Sequence, residues 1–427
     1  MRIMTKVLYA AAHSGFNLGE VPLGGGAAVA QHLVEEWGKA KPFELKVLGP
    51  SLLKESAPQQ KDLVRYSELQ YARFCRQFEK RLTETILQYD PANTVVLCND
   101  VSEGPDFKTL AEKGYSIFTI YHVDVVDYFT TFYLHSWLKP DTTTSLYRKI
   151  CRLGLAWAVP DVLKLVWEKQ ESSVRYSKGL VVPSQRMKEI LLRCYPDLEA
   201  SRVHVLPWGV WEEPIASQGI EMAKSQILKA YLIPEGASVL LMLSRISPEK
   251  GQDRLLKALA MWESRTDYPT QGVCLFIAGE AAYMMGKKYE NELRKMASSL
   301  KRTQVHFVGY AAGAKKKALF EMADLYVFPS KHESYGLTLL EALHAGLPVL
   351  TTPSYGAKEV FKPEFGDMIA MGSEPSVPGL LVEGLKRLLV DRARLQGMGE
   401  VASVWAKSQN FSNVASALAV LLGSEKA

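Results

Sequence analysis

The sequence predicts an α/β protein built from two parallel-sheet domains, and three observations carry that prediction. Short apolar runs rich in Val, Ile and Leu alternate with longer helix-forming stretches through both halves of the chain, as parallel strands alternate with helical crossovers. Several of these runs empty straight into turns rich in glycine, proline or serine. The chain has 427 residues, too many for one compact core. Two Rossmann-like domains facing across a cleft are therefore expected, residues 1–207 and 208–400, followed by a helical segment, 401–427.

Composition bounds the class. Hydrophobic residues make up 47% and charged residues 23%, ordinary values for a soluble globular protein. The net charge of +5 permits an anionic substrate or membrane surface and does not require nucleic acid, which is not an expected partner. The five cysteines (Cys75, Cys98, Cys151, Cys194 and Cys274) are scattered and form no CxxC pair. That argues against a disulfide framework or zinc site and for a reducing, cytoplasmic compartment. No apolar run is long enough to span a membrane, and residues 7–12 are too short for a secretory leader.

In the first half, residues 7–12 read as a buried strand, 13–23 as a loop, and the triple glycine at 24–26 as the start of a helix. Glycine there lets backbone approach an anion closely, as in a nucleotide phosphate cradle. A dinucleotide fingerprint would need glycine at position 29, where Val29 stands. Residues 43–48 form a second expected strand, 63–88 a long amphipathic helical region, and 94–99 a third strand. The strand 116–122 delivers His122 at its carboxyl end, just before Asp124 and Asp127. Ligands gather at such ends in open α/β sheets, which makes His122 a site candidate. Over 146–157, Leu146, Ile150, Leu153 and Trp157 share one helical face, while Arg148, Lys149 and Arg152 share the other; Pro160 ends the helix. Such a segment either buries Ile150 and Trp157 against its own sheet or meets an anionic membrane.

In the second half, the strand 238–243 leads into Arg245 and Lys250, then Gly251 and a helix from Gln252. A planar arginine fork and a lysine point charge suit a pyrophosphate. Strands 274–279 and 305–309 end in glycine, leaving backbone for a flat base to pack on, and Tyr310 is placed to line that pocket. The strand 325–328 is closed by Pro329 and Ser330, and a short helix over 336–345 is ended by Gly346 and Pro348. Glu333 lies in the turn before this helix with Ser334 and Tyr335, facing the amides of Gly336, Leu337 and Thr338, which favour an anion. Glu341 lies inside the helix, where a carboxylate can accept two ribose hydroxyls. Helices over 378–390 and 401–422 close the chain.

The run ESYGLTLLEALHAGLPV, beginning at Glu333, resembles the E-x7-E signature of retaining glycosyltransferases with the GT-B architecture, family-4 (group 1) type. Residues 244–251 resemble that family's Arg…Lys-Gly donor-phosphate motif, and 356–359 its Gly-Gly-x-x-Glu loop, with Tyr355 in place of the first glycine. Residues 203–210 resemble its domain crossing, with Trp208 and Trp211 where relatives carry Asn and Asp. The resemblance implies transfer of a hexose, best matched by glucose from UDP-glucose, to an acceptor hydroxyl with retention, in polysaccharide or glycolipid synthesis. Arg245 and Lys250 would stabilise the departing diphosphate with the amides of 336–338, Glu341 would hold the ribose, and Glu333 and His122 would meet the sugar. Gly25 and Gly26 would face the diphosphate, and the C-terminal segment would return to the first domain. No D-x-D occurs in the chain, so neither a metal nor a separate cofactor is expected. The implied partners are a nucleotide sugar, a carbohydrate or lipid-linked acceptor, and the inner face of a membrane. Two other readings stand beside this one: a catalytically silent nucleotide-sugar-binding partner protein, and an NAD-dependent oxidoreductase, which Val29 disfavours.

Overall fold

The computed structural model describes residues 5–12, 24–56, 66, 68–132, 137–370 and 372–423. They form two compact units, Met1–Trp208 with Phe411–Ala427, and Gly209–Asn410.

The first unit begins with β1 (Lys6–Ala10), α1 (Gly25–Ala40), β2 (Glu44–Leu48), α2 (Glu68–Ile86) and β3 (Thr94–Cys98). It continues through α3 (Phe107–Glu112), β4 (Ser116–Ile120), α4 (Val125–Phe132), α5 (Pro140–Arg152), α6 (Asp161–Tyr176), β5 (Gly179–Val182), α7 (Gln185–Cys194) and β6 (Val203–Val205). The sheet order is β2-β1-β3-β4-β5-β6, with every pair parallel. β3 and β5 are buried along their whole length, which is why they read as unbroken apolar runs and not as alternating ones. Phe78, Leu82 and Ile86 of α2 join Val96, Phe107 and Ile117 in the core of this unit.

The second unit contains α8 (Ser217–Ala230), β7 (Ser238–Leu243), α9 (Gln252–Glu263), β8 (Val273–Ala278), α10 (Tyr283–Ser299), β9 (Thr303–Gly309), α11 (Gly313–Met322) and β10 (Leu325–Phe328). It ends with α12 (Leu337–His344), β11 (Val349–Thr351), α13 (Tyr355–Val360), β12 (Gly366–Met368), α14 (Val377–Leu389) and α15 (Arg392–Lys407). Its order is β12-β11-β10-β7-β8-β9, again parallel throughout. From β7 the chain adds β8 and β9 on one side, then reverses to add β10, β11 and β12 on the other. The point of reversal lies between β7 and β10, where open α/β sheets hold their ligands.

The last helix, α16 (Phe411–Gly423), belongs to the first unit. Trp37 Nε1 of α1 donates to the Ala415 carbonyl at 2.9 Å, and Phe411 packs its ring on His32 and Trp208. The expected single helix over 401–422 is thus two. α15 closes with Ser408 and Gln409 amides bonded to Trp405 and Ala406, and Asn410 then pairs with Val210 in an isolated parallel bridge. The outgoing and returning crossings lie side by side.

Two other sequence readings differ from the structure. The expected helix 146–157 ends at Arg152, because Gly154 adopts a left-handed φ of +71°, and Trp157 sits in a separate 3-10 turn, Ala156–Ala158. Tyr147, Thr143 and Thr144 face inward on α5, leaving Leu153 72% and Trp157 77% exposed. Trp157 is therefore not packed against the sheet. Arg148 is not on the open side either: its Nε lies 3.2 Å from Glu171 and its guanidinium covers the Tyr195 ring. The loop 13–23 and most of 63–67 lie outside the described residues.

Candidate active site

The second unit brings Arg245, Lys250 and Glu333 to its reversal point. β7 ends at Leu243 and β10 at Phe328, so the segments carrying Arg245–Lys250 and Ser330–Glu333 leave from neighbouring strands. They meet through Gly251, whose φ is +71° and where a Cβ would lie 2.2 Å from the Pro329 carbonyl oxygen. Only glycine allows that approach. The Lys331 amide donates to the Glu249 carbonyl at 2.7 Å, tying the two segments together. Lys250 Nζ then reaches Glu333 Oε2 at 2.7 Å, with the two side chains only 12% and 15% exposed.

Arg245 is held from behind. Buried Gln252 donates to its carbonyl at 2.8 Å, and the buried Glu249 carboxylate, itself bonded by the Ser247 hydroxyl at 2.6 Å, lies 4.0 Å from the guanidinium. The Glu333 turn is backed by α13: the Gly356 amide donates to the Glu333 carbonyl at 2.8 Å, and a Cβ on Gly356 would lie 2.4 Å from Tyr335 backbone. Gly356 of the loop motif is thus explained by close packing. Tyr355, in place of the other glycine, edges onto the His332 ring.

Gly336 starts α12 in the left-handed region at φ +88°, so the first-turn amides of Leu337 and Thr338 have no intrahelical acceptor. Tyr335 is buried, which leaves its backbone, with Ser334, as the part presented at the turn. Glu341 pairs with Lys316 of α11 at 3.1 Å. Tyr310 is half-buried, and burial, reinforced by the Glu341 charge, pushes its hydroxyl up to about 12. It stays protonated near neutrality. Sequence reading picked out Arg245, Lys250, Glu333, Glu341 and Tyr310, but missed Gln252, Glu249 and Lys316. Glu249 lies inside the motif, yet its role comes from burial; Lys316 is one of three consecutive lysines and has no local signal.

In the first unit, Gly25 and Gly26 open α1, and His122 follows β4. A Cβ on Gly26 would lie 3.0 Å from the His122 ring, so Gly26 makes room for that imidazole. The ring also packs at 5.6 Å on Trp208, which is buried. Asn99, at the end of β3, bonds His122 Nε2 at 3.1 Å. Trp208 is therefore a platform for His122 and for Phe411 of α16. Val29, at the position a dinucleotide fingerprint gives to glycine, is buried in α1.

Residues 223–405, which contain Arg245, Lys250, Glu333 and Glu341, match the family described as glycosyl transferases group 1. The chain is 30% identical over 214 residues to a GDP-mannose-dependent alpha-(1-6)-phosphatidylinositol monomannoside mannosyltransferase of Mycobacterium tuberculosis, covering 48% of this chain and 52% of that protein. It is 29% identical over 214 residues to the lipopolysaccharide glucosyltransferase WaaG of Escherichia coli, covering 50% of this chain and 54% of that one. The chain thus spans about half the length of these curated relatives. Among solved structures, Anabaena Alr3699/HepE in complex with UDP-glucose aligns with a TM-score of 0.64 at 16% identity, over 98% of this chain and 100% of that one. The two parallel six-stranded sheets share the GT-B fold of such structures.

Proposed function

We propose that this protein is a retaining glycosyltransferase that moves a hexose, glucose from UDP-glucose, onto an acceptor hydroxyl in polysaccharide or glycolipid synthesis. The observation that carries the proposal is the Lys250–Glu333 pair at the β7/β10 reversal, with Arg245 beside it on the same loop. A cation already neutralised by a carboxylate can turn to a diphosphate as negative charge develops on the leaving group. Arg245, the α12 amides and the redirected Lys250 then stabilise that charge electrostatically. This reading assigns the ribose to Glu341, the base to Tyr310, the hexose hydroxyls to Glu333 and His122, and the donor phosphates to Gly25 and Gly26 as well.

Two positive side chains at the leaving group make a divalent metal unnecessary in this proposal, and the donor is a substrate, so no separate cofactor is required. Glucose is favoured by the WaaG relative and by the UDP-glucose complex of the structural neighbour. Lipid-linked acceptors are favoured by the mycobacterial relative and by the exposed Leu146, Leu153 and Trp157 beside Lys149 and Arg152. No helix among the described residues is long and apolar enough to cross a membrane, so contact would be peripheral, at the inner face. The test is a donor panel. UDP-glucose, UDP-galactose, ADP-glucose and GDP-mannose are each incubated with the protein, released nucleoside diphosphate is measured, and the anomeric configuration of any product is read by NMR. Release from UDP-glucose with an α product supports the proposal. Release only from GDP-mannose moves the donor assignment, and an inverted product removes the retaining mechanism.

A further inference from the structure

We propose that Asn99 is a positioning residue that fixes neutral His122 as its Nε2-protonated tautomer, so that Nδ1 is the edge that accepts hydrogen bonds. Asn99 is 1% exposed at the carboxyl end of β3, between β1 and β4, and its own amide is pinned to the Ala10 carbonyl at 2.8 Å. Three contacts orient its side chain. Nδ2 faces the Gly26 carbonyl at 3.4 Å, and a carbonyl can only accept, so the NH2 group must lie on that side. Oδ1 therefore faces both the Tyr9 hydroxyl at 2.5 Å and His122 Nε2 at 3.1 Å. Tyr9 is fully buried, and burial raises its pKa far above the usual value, so its hydroxyl keeps the proton it donates.

With an acceptor oxygen fixed opposite Nε2, that nitrogen must carry the proton, and Nδ1 carries the lone pair. The ring cannot turn to exchange the two. Gly26 lies against one side, where even a Cβ would come within 3.0 Å, and Trp208 packs nearby at 5.6 Å.

The consequence is a selectivity rule for His122. A group meeting Nδ1 of the neutral ring must donate, as a sugar or acceptor hydroxyl does. A phosphate or carboxylate oxygen would set lone pair against lone pair. This rests on the glycosyl-transfer reading only in naming the hydroxyl; the tautomer stands apart from it.

The test uses the full chain labelled with 15N-histidine and observed in long-range 1H–15N correlation spectra at pH 8.5, with His122 assigned by its loss in His122→Gln. Wild type should show the Nε2-protonated pattern. Asn99→Leu should lose it to a mixture with the Nδ1-protonated form and lower kcat for the donor more than it raises KM. Asn99→Asp keeps the acceptor oxygen and should retain the tautomer, as should Tyr9→Phe, which removes only the second donor to Oδ1. A wild-type ring protonated on Nδ1, or an unchanged pattern in Asn99→Leu, would overturn the proposal. Should Asn99→Leu fail to fold, the wild-type and Asn99→Asp spectra decide. The spectra need no substrate, so their failure is separate from failure of the transferase reading.

Discussion

Lys250 and Glu333 are each other's partner before any ligand arrives, and the consequence differs for stability and for activity. Breaking a largely buried pair by removing one side costs on the order of 3–5 kcal/mol, whereas replacing both with apolar groups is often neutral. Lys250→Met should therefore lower the melting temperature, and Lys250→Met/Glu333→Leu should recover most of it while remaining inactive. Recovery of turnover along with stability would mean that the pair is structural. Arg245→Ala and Lys250→Ala should each reduce turnover about a hundredfold or more, the range for losing one aligned transition-state donor. Steady-state kinetics check this, and unchanged rates in both variants would remove the diphosphate assignment. These two cations and both glutamates were legible in the sequence because glycine and proline punctuation marks the strand ends that deliver them. Gln252, Glu249 and Lys316 were not. Their roles depend on which side of a helix or loop is buried, and a polar residue among polar residues carries no period that reveals it.

At the scale of elements, α4 starts beside a costly carboxylate. Asp124 is buried, accepts the Asp127 amide at 2.8 Å and faces Gln170, and burial reinforced by the Asp127 charge raises its pKa from 3.8 to about 6. The folded protein therefore holds a proton there that the unfolded chain has already released. Stability from this group falls as pH rises from about 4 to about 6 and is level above that. Asp124→Asn keeps the amide contact and removes the ionisation cost. It should stabilise the protein at pH 7.5 by up to about 3 kcal/mol, with the gain vanishing near pH 4, as read by denaturant unfolding across pH. No difference at pH 7.5 would show that the charge is better solvated than its burial implies. Strands were easier to read than helix ends, because a run such as β3, buried on both faces, is apolar throughout. The end of α5 depends on one glycine adopting a positive φ, and the apolar spacing of Leu146, Ile150, Leu153 and Trp157 continued past it and hid the break.

For the whole molecule, the parallel order of both sheets follows from alternating strands and helices, and the point of reversal could be assigned only once the pairing of β7 with β10 was seen. The proposed metal independence is tested on the complete catalyst. Activity should persist in excess EDTA, since Arg245 and Lys250 supply the charge; complete loss restored by manganese would contradict that. Membrane contact is likewise tested on the full chain. Lys149 and Arg152 offer about 1 kcal/mol each at an anionic surface, and Leu153 and Trp157 add apolar insertion. Co-sedimentation with anionic vesicles should weaken with salt and in Leu153→Ser/Trp157→Ser, while no binding at low salt would remove the membrane from the account.

The central claim is that the β7/β10 reversal holds a nucleoside diphosphate, and calorimetric titration of UDP into the wild-type chain tests it most directly. The account predicts one site per chain, with binding weakened at least about tenfold in Arg245→Ala and in Glu341→Ala, the loss expected when one charge-assisted hydrogen bond is removed. Binding that is equally tight in both variants would contradict it.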